Sequence, residues 1–127
     1  MSLLPFGLAR VSGPSMVPTY RDGDLLLVRY GARTVARLRA GAVVVARDPR
    51  QTDLLIVKRA VRRVDGDVSG GVGGSADGDV NGEGVGAGWW LLADNEFALG
   101  DSRQFGAVAP ELVLGRVVGR LRRQRER

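Results

Sequence analysis

The chain has 127 residues, a formal net charge of +5, and neither cysteine nor histidine, a length that supports one domain with a single core rather than two. The missing cysteines exclude a disulfide framework, a thiol nucleophile and a thiolate zinc site, and the missing histidines argue against any transition-metal site and remove the commonest general base. Aromatics make up only 6% of residues, leaving few rings on which nucleic-acid bases could stack, so the positive charge alone does not make a specific nucleic-acid binder.

In chain order, Met1 to Arg10 has no basic stretch ahead of an apolar run and is not a secretory signal. Next comes Ser12-Gly13-Pro14-Ser15-Met16-Val17-Pro18-Thr19, a segment rich in turn formers, and then Gly23-Asp24. Leu25 to Val28, Ala42 to Ala46 and Leu54 to Val57 are short apolar runs bounded by Gly, Asp and Pro, which predicts buried strands. Val61, Arg63 and Val64 continue the third, and Trp89 to Ala93 and Val113 to Leu121 add two more. In the last of these Val113, Gly115, Val117, Gly119 and Leu121 share one face. Helical signal is confined to short turns at Thr34 to Ala40 and Pro110 to Leu112. The expected fold is mainly β: a small coiled or barrel-like β domain with short helical turns.

Between the strands, Asp65 to Gly88 is loaded with glycine and aspartate and has no basic residue. Such a segment buries too little apolar surface to offset its ordering entropy, so a flexible insertion at 65–88 is expected within a single domain spanning 1–127. Asp77, Asp79, Asn81 and Gly82 match the first half of a calcium loop, but Gly88 stands where the bidentate glutamate is needed, so no metal or other cofactor is expected. No apolar run approaches the ~18–20 residues of a spanning helix, and the expectation is a soluble, cytoplasmic chain. The arginines at 120, 122, 123, 125 and 127 read as a solvated, frayed tail.

Lys58 is the only lysine among nineteen basic residues. A guanidinium keeps its proton at any pH a fold survives, whereas a desolvated lysine amine can lose it and act as a base. With His and Cys absent, Ser with Lys is nearly the only nucleophile-and-base pair this composition offers. Lys58 lies inside the apolar stretch Leu54 to Val61, and Ser15 lies in a Gly/Pro-rich turn from which a hydroxyl can project.

Three separated segments then form a pattern: Ser12 to Thr19; Ile56-Val57-Lys58-Arg59-Ala60-Val61; and Ala93-Asp94-Asn95 followed by Gly100-Asp101-Ser102-Arg103-Gln104-Phe105-Gly106. Together they resemble the type I signal peptidase family of Ser/Lys proteases, over most of the chain outside the glycine-rich segment. The resemblance implies that family's catalytic-core fold, Ser15 as nucleophile and Lys58 as base. It also implies an oxyanion region at Gly13 and Met16, a supporting segment at Asp101, Ser102 and Arg103, and a polypeptide substrate bound as an extended strand. Two positions depart from the family. Gly13 stands where many members have a serine that donates to the oxyanion, and Leu99 where a serine often orients the lysine, which leaves that task to packing, backbone carbonyls or Ser102. Size, the few residues ahead of Ser15, and the stretches Val11 to Thr19 and Trp89 to Asn95 most resemble soluble nickel-type superoxide dismutase maturation proteases, which implies removal of an N-terminal propeptide from the dismutase precursor. The competing readings are a signal peptidase-like protease of other substrates, a self-cleaving SOS-repressor-type domain, and a catalytically inactive binding module.

Overall fold

A computed structural model describes residues 5–65 and 88–123. They form a six-stranded antiparallel sheet in the order β1-β2-β6-β3-β4-β5. The strands are β1 Phe6–Arg10, β2 Leu25–Tyr30, β3 Ala42–Asp48, β4 Gln51–Val64, β5 Gly88–Leu92 and β6 Val113–Arg122. Among the described residues helix is limited to α1 Ala32–Ala36, α2 Ser102–Phe105 and a 3-10 turn at Pro110–Leu112. The protein is therefore mainly β, as its short β-branched runs predict.

β3 lies between β6 and β4, and its alternation explains the two-sided core. Val43 and Val45 face a cluster with Val11, Met16, Leu26, Val28 and Val117; Val44 and Ala46 face another with Ala60, Trp89, Leu91, Phe105 and Val108. A strand covered on both faces has no polar face to show, hence its unbroken apolar run. Register shifts interrupt the β2–β6, β3–β6 and β4–β5 ladders, and bulges of this kind add local twist and bend a sheet.

Three expectations need correction. Leu54 and Leu55 are in β4 but lie beyond the core, 45% and 50% exposed, because the hairpin arm carrying them runs past the end of the sheet's packed region. Arg120 and Arg122 belong to β6 rather than to a frayed tail: Arg120 reaches the Thr19 carbonyl at 3.2 Å and pairs with Asp24 at 3.6 Å. The first helical turn begins at Ala32, two residues early. β1 has no counterpart in the sequence reading, because five residues broken by Gly7 carry too little pattern. Of the glycine-rich insertion, 66–87 lies outside the described residues, and with it the half-matched calcium loop; the flanking Val64 and Gly88 are register partners in the β4–β5 ladder.

Candidate active site

The segment bearing Ser15 leaves β1 and returns to β2 as a closed turn. Val11 donates its N–H to the Asp24 carbonyl at 2.9 Å and accepts from Gly23 N–H at 2.7 Å, which pins both ends. Inside it, Gly13 N–H donates to Asp22 Oδ1 at 2.8 Å, Val17 N–H to the Pro14 carbonyl and Tyr20 N–H to the Met16 carbonyl. Met16 is fully buried in the core, while Ser15, the residue before it, remains half-buried at the surface. Burying the thioether thus fixes where the neighbouring hydroxyl emerges. A second anchor comes from Asn95, whose N–H donates to the Ser15 carbonyl at 2.9 Å and whose side-chain amide donates to the Pro14 carbonyl at 3.1 Å.

Lys58 sits on β4 opposite Val44, on the same face as Ile56 and Ala60, and is 4% exposed. Burial pushes its amine pKa down from the ordinary value. The carboxylates of Asp101 and Asp48 push it back up, and the guanidiniums of Arg103 and Arg50 push it down again, so the outcome is a lowered pKa. Among the described residues no hydrogen bond or ion pair holds the Lys58 amine. Ser15, Met16, Lys58, Arg10, Asp48 and Leu99 contribute to the lining of one cleft of about 310 Å3. The fold thus brings the two sequence-singled residues, 43 positions apart, to a shared opening.

Asp101, fully buried, caps α2. It accepts from Arg103 N–H and Nε at 3.0 Å and from Arg103 Nη2 at 2.9 Å, and its second oxygen also accepts from Ala93 N–H at 2.8 Å. Gln104 reaches back to the Asp101 and Gly100 amides, completing a capping box that explains why so short a helix forms. Burial raises the Asp101 pKa, but these hydrogen bonds and the Arg103 charge outweigh it and hold the carboxyl below its usual range. Ser102 is 1% exposed and accepts from Leu91 N–H at 2.8 Å, tying α2 to β5; no hydrogen bond joins it to Lys58. Leu99 is 77% exposed at the cleft rim. Gly13 has φ +86°, a left-handed conformation that a side chain opposes, although a Cβ there would meet nothing within 4 Å.

The pairings within two groups of site residues are not visible in the sequence. Arg59, next to Lys58, holds Asp94 with a two-pronged contact at 2.9 and 2.6 Å, and Asp94 also accepts from the Thr19 hydroxyl at 2.5 Å. This ties the lysine strand, the serine turn and the end of β5 together. A lone Arg after Lys gave no pairing signal, since its partner is 35 residues away. The other is Asp48 with Arg50, which also line the cleft. A larger and mostly apolar concavity of about 620 Å3, between α1 and the 3-10 turn, is lined by Tyr30, Val35, Pro110 and Leu114 among others. It holds no nucleophile beside a base, so the chemistry points to the smaller cleft.

Residues 5–69 match the family described as Peptidase S24-like. The chain is 32% identical over 114 residues to the Arabidopsis thaliana mitochondrial ATP-independent inner membrane protease subunit 1a, covering 87% of this chain and 67% of that one. It is 33% identical over 106 residues to the Xenopus tropicalis mitochondrial inner membrane protease subunit 1, covering 84% and 63%, and 30% identical over 111 residues to the human protein of that name, covering 87% and 66%. The chain therefore spans about two thirds of the length of these curated relatives. Among its own described residues no helix is long and apolar enough to cross a membrane.

Proposed function

Since the chain belongs to the Peptidase S24-like protease family, we propose that it is a serine endopeptidase in which Ser15 is the nucleophile and Lys58 the general base. One observation carries this reading: a half-exposed serine and a buried lysine with a lowered pKa line the same cleft. In the reaction, the neutral Lys58 amine takes the Ser15 hydroxyl proton as Oγ attacks the peptide carbonyl carbon. The C–N bond then breaks, the ammonium returns its proton to the leaving amine, and an acyl-enzyme remains. Water, deprotonated by the same amine, hydrolyses the ester and restores Ser15. The oxyanion falls to main-chain donors, with the Ser15 N–H the nearest candidate, because Gly13 offers no hydroxyl. Among the described residues that N–H makes no backbone hydrogen bond.

The substrate is a polypeptide bound in extended form along the cleft. The finer reading, removal of an N-terminal propeptide from a nickel-type superoxide dismutase precursor, rests on the resemblance in Val11 to Thr19 and Trp89 to Asn95. It does not rest on the relatives above, which are named as inner membrane protease subunits. Incubating the purified chain with that precursor and sequencing the product's N-terminus tests both levels. A single new N-terminus, lost in Ser15→Ala, is expected. Cleavage that persists in Ser15→Ala would overturn the nucleophile, and an uncut precursor beside cleavage of other polypeptides would overturn the dismutase assignment alone.

A further inference from the structure

Asp48-Pro49-Arg50, at the β3–β4 turn, repeats the geometry of Asp101-Ser102-Arg103. Asp48 Oδ1 accepts from the Arg50 N–H at 2.8 Å and from Arg50 Nε at 3.1 Å, and Oδ2 accepts from Arg50 Nη2 at 3.0 Å. Asp101 receives the same three donors from the residue two positions on. Both carboxylates are buried, at 3% and 0% exposure. Both act on Lys58 in the same sense, favouring the ammonium, and both arginines act in the opposite sense. The two pairs differ in one respect. Asp101 has an extra donor in Ala93 N–H, whereas among the described residues every hydrogen bond to the Asp48 carboxylate comes from Arg50.

Arg50 is also fixed from its far side. Its guanidinium carbon lies 5.0 Å from the centroid of the Phe105 ring in α2, and its Nη2 lies 3.4 Å from the place a Cβ on Gly100 would take. The guanidinium therefore bridges the hairpin that carries Lys58 and the loop that carries Asp101. Asp48 and Arg50 both line the cleft.

We infer that Asp48 and Arg50 are a second positioning pair for Lys58: Arg50 occupies the Asp48 carboxylate and so leaves the amine free to accept the Ser15 proton. The inference rests on the Ser15–Lys58 reading for its catalytic consequence, but not for its effect on the amine. A buried carboxylate without its arginine favours any other cation that acts on it, and for Asp48 that cation is Lys58. The charged groups that act on the amine are Asp48 and Arg50 from the hairpin and Asp101 and Arg103 from the α2 loop; Arg10 of β1 lines the same cleft.

Because the chain has one lysine, protein labelled with lysine carrying 13C at Cε gives one side-chain Cε–Hε correlation whose pH titration reports Lys58 directly. Arg50→Gln should move the midpoint to higher pH, Asp48→Asn to lower pH, and the double variant should return it towards wild type. In parallel, Arg50→Gln should lose about tenfold in turnover at neutral pH and recover it as pH rises, the behaviour of a base held protonated. An unmoved midpoint, with activity lost evenly at all pH values and not restored in the double variant, would reduce the pair to a brace and overturn the inference. Asp48→Asn, nearly isosteric, keeps the test decisive if Arg50→Gln does not fold. Midpoints that move as expected while Lys58→Arg stays active would uphold the pairing and overturn the dyad.

Discussion

A lysine ammonium and an arginine guanidinium differ most when one of them must lose a proton. Lys58 is buried, and burial lowers its pKa, so its replacement by arginine separates a base from a charge. Lys58→Arg should lower turnover as far as Lys58→Ala does, by 10²-fold or more for loss of a general base (roughly). Steady-state rates on a cleavable peptide check this, and near-normal turnover in Lys58→Arg would dismiss the dyad. Gly13 poses a different question at the same scale. Its φ of +86° means that Gly13→Ser, an apparent restoration of the family's oxyanion helper, carries a backbone penalty of about 1–2 kcal/mol. The expected result is a lower denaturation midpoint with no large gain in rate. A gain of tenfold or more would show that the turn can place a serine hydroxyl on the oxyanion after all.

Elements are held together here by close backbone approaches as much as by side chains. In β6, a Cβ on Gly115 would lie 2.5 Å from the Arg29 carbonyl and 3.0 Å from Tyr30 Cα, both of β2, whereas one on Gly119 would meet nothing within 4 Å. Gly115→Ala should therefore cost about 1–3 kcal/mol, the usual range for overpacking, while Gly119→Ala should be near neutral. Urea denaturation of the two variants side by side distinguishes them, and equal stabilities would mean that β2 and β6 are not so closely apposed. The sequence already showed β6 as a strand with both glycines on one face, but nothing local told them apart, since the difference lies in β2. Much else followed this division. Leu25 to Val28, Ala42 to Ala46 and Trp89 to Leu92 were legible because burial imposes a local pattern. Ser15 and Lys58 stood out because the composition leaves few other pairs for a nucleophile and a base, and Asp101 through the resemblance alone; the fold brings Ser15 and Lys58 to one cleft. Asp48 with Arg50, and Arg59 with Asp94 and Thr19, were not, because an ion pair leaves no periodicity and eighteen arginines offered too many equivalent partners. Leu54 and Leu55 misled for the opposite reason, as an apolar run on a hairpin arm looks the same whether or not anything covers it.

For the molecule as a whole, the proposed base sets function against stability, because it is buried, and pH separates the two. Burial holds the folded-state amine below its ordinary value of 10.5. Between that lowered value and 10.5 the unfolded chain binds a proton that the folded chain does not, so the Lys58 contribution to stability rises with pH across this window. Below the lowered pKa the folded chain carries a buried ammonium, and the penalty is complete. The carboxyls of Asp48, Asp94 and Asp101 run the other way along the pH axis. Each is held below 3.8, so each contributes stability that is fully present above 3.8 and is lost as pH falls through the folded-state value. Lys58→Met keeps much of the side-chain volume among apolar neighbours and removes the charge. It should abolish cleavage and raise the thermal midpoint at neutral pH by about 3–6 °C, the shift that roughly 1 kcal/mol gives a domain of this size. The advantage should shrink as the pH is raised towards 10.5, above which the wild-type amine is neutral both folded and unfolded. Thermal melts of the two proteins between pH 6 and pH 10 decide the matter. A gap that stays constant with pH would mean that Lys58 has the same affinity for its proton folded and unfolded, and the base proposed for this site would lose its physical ground.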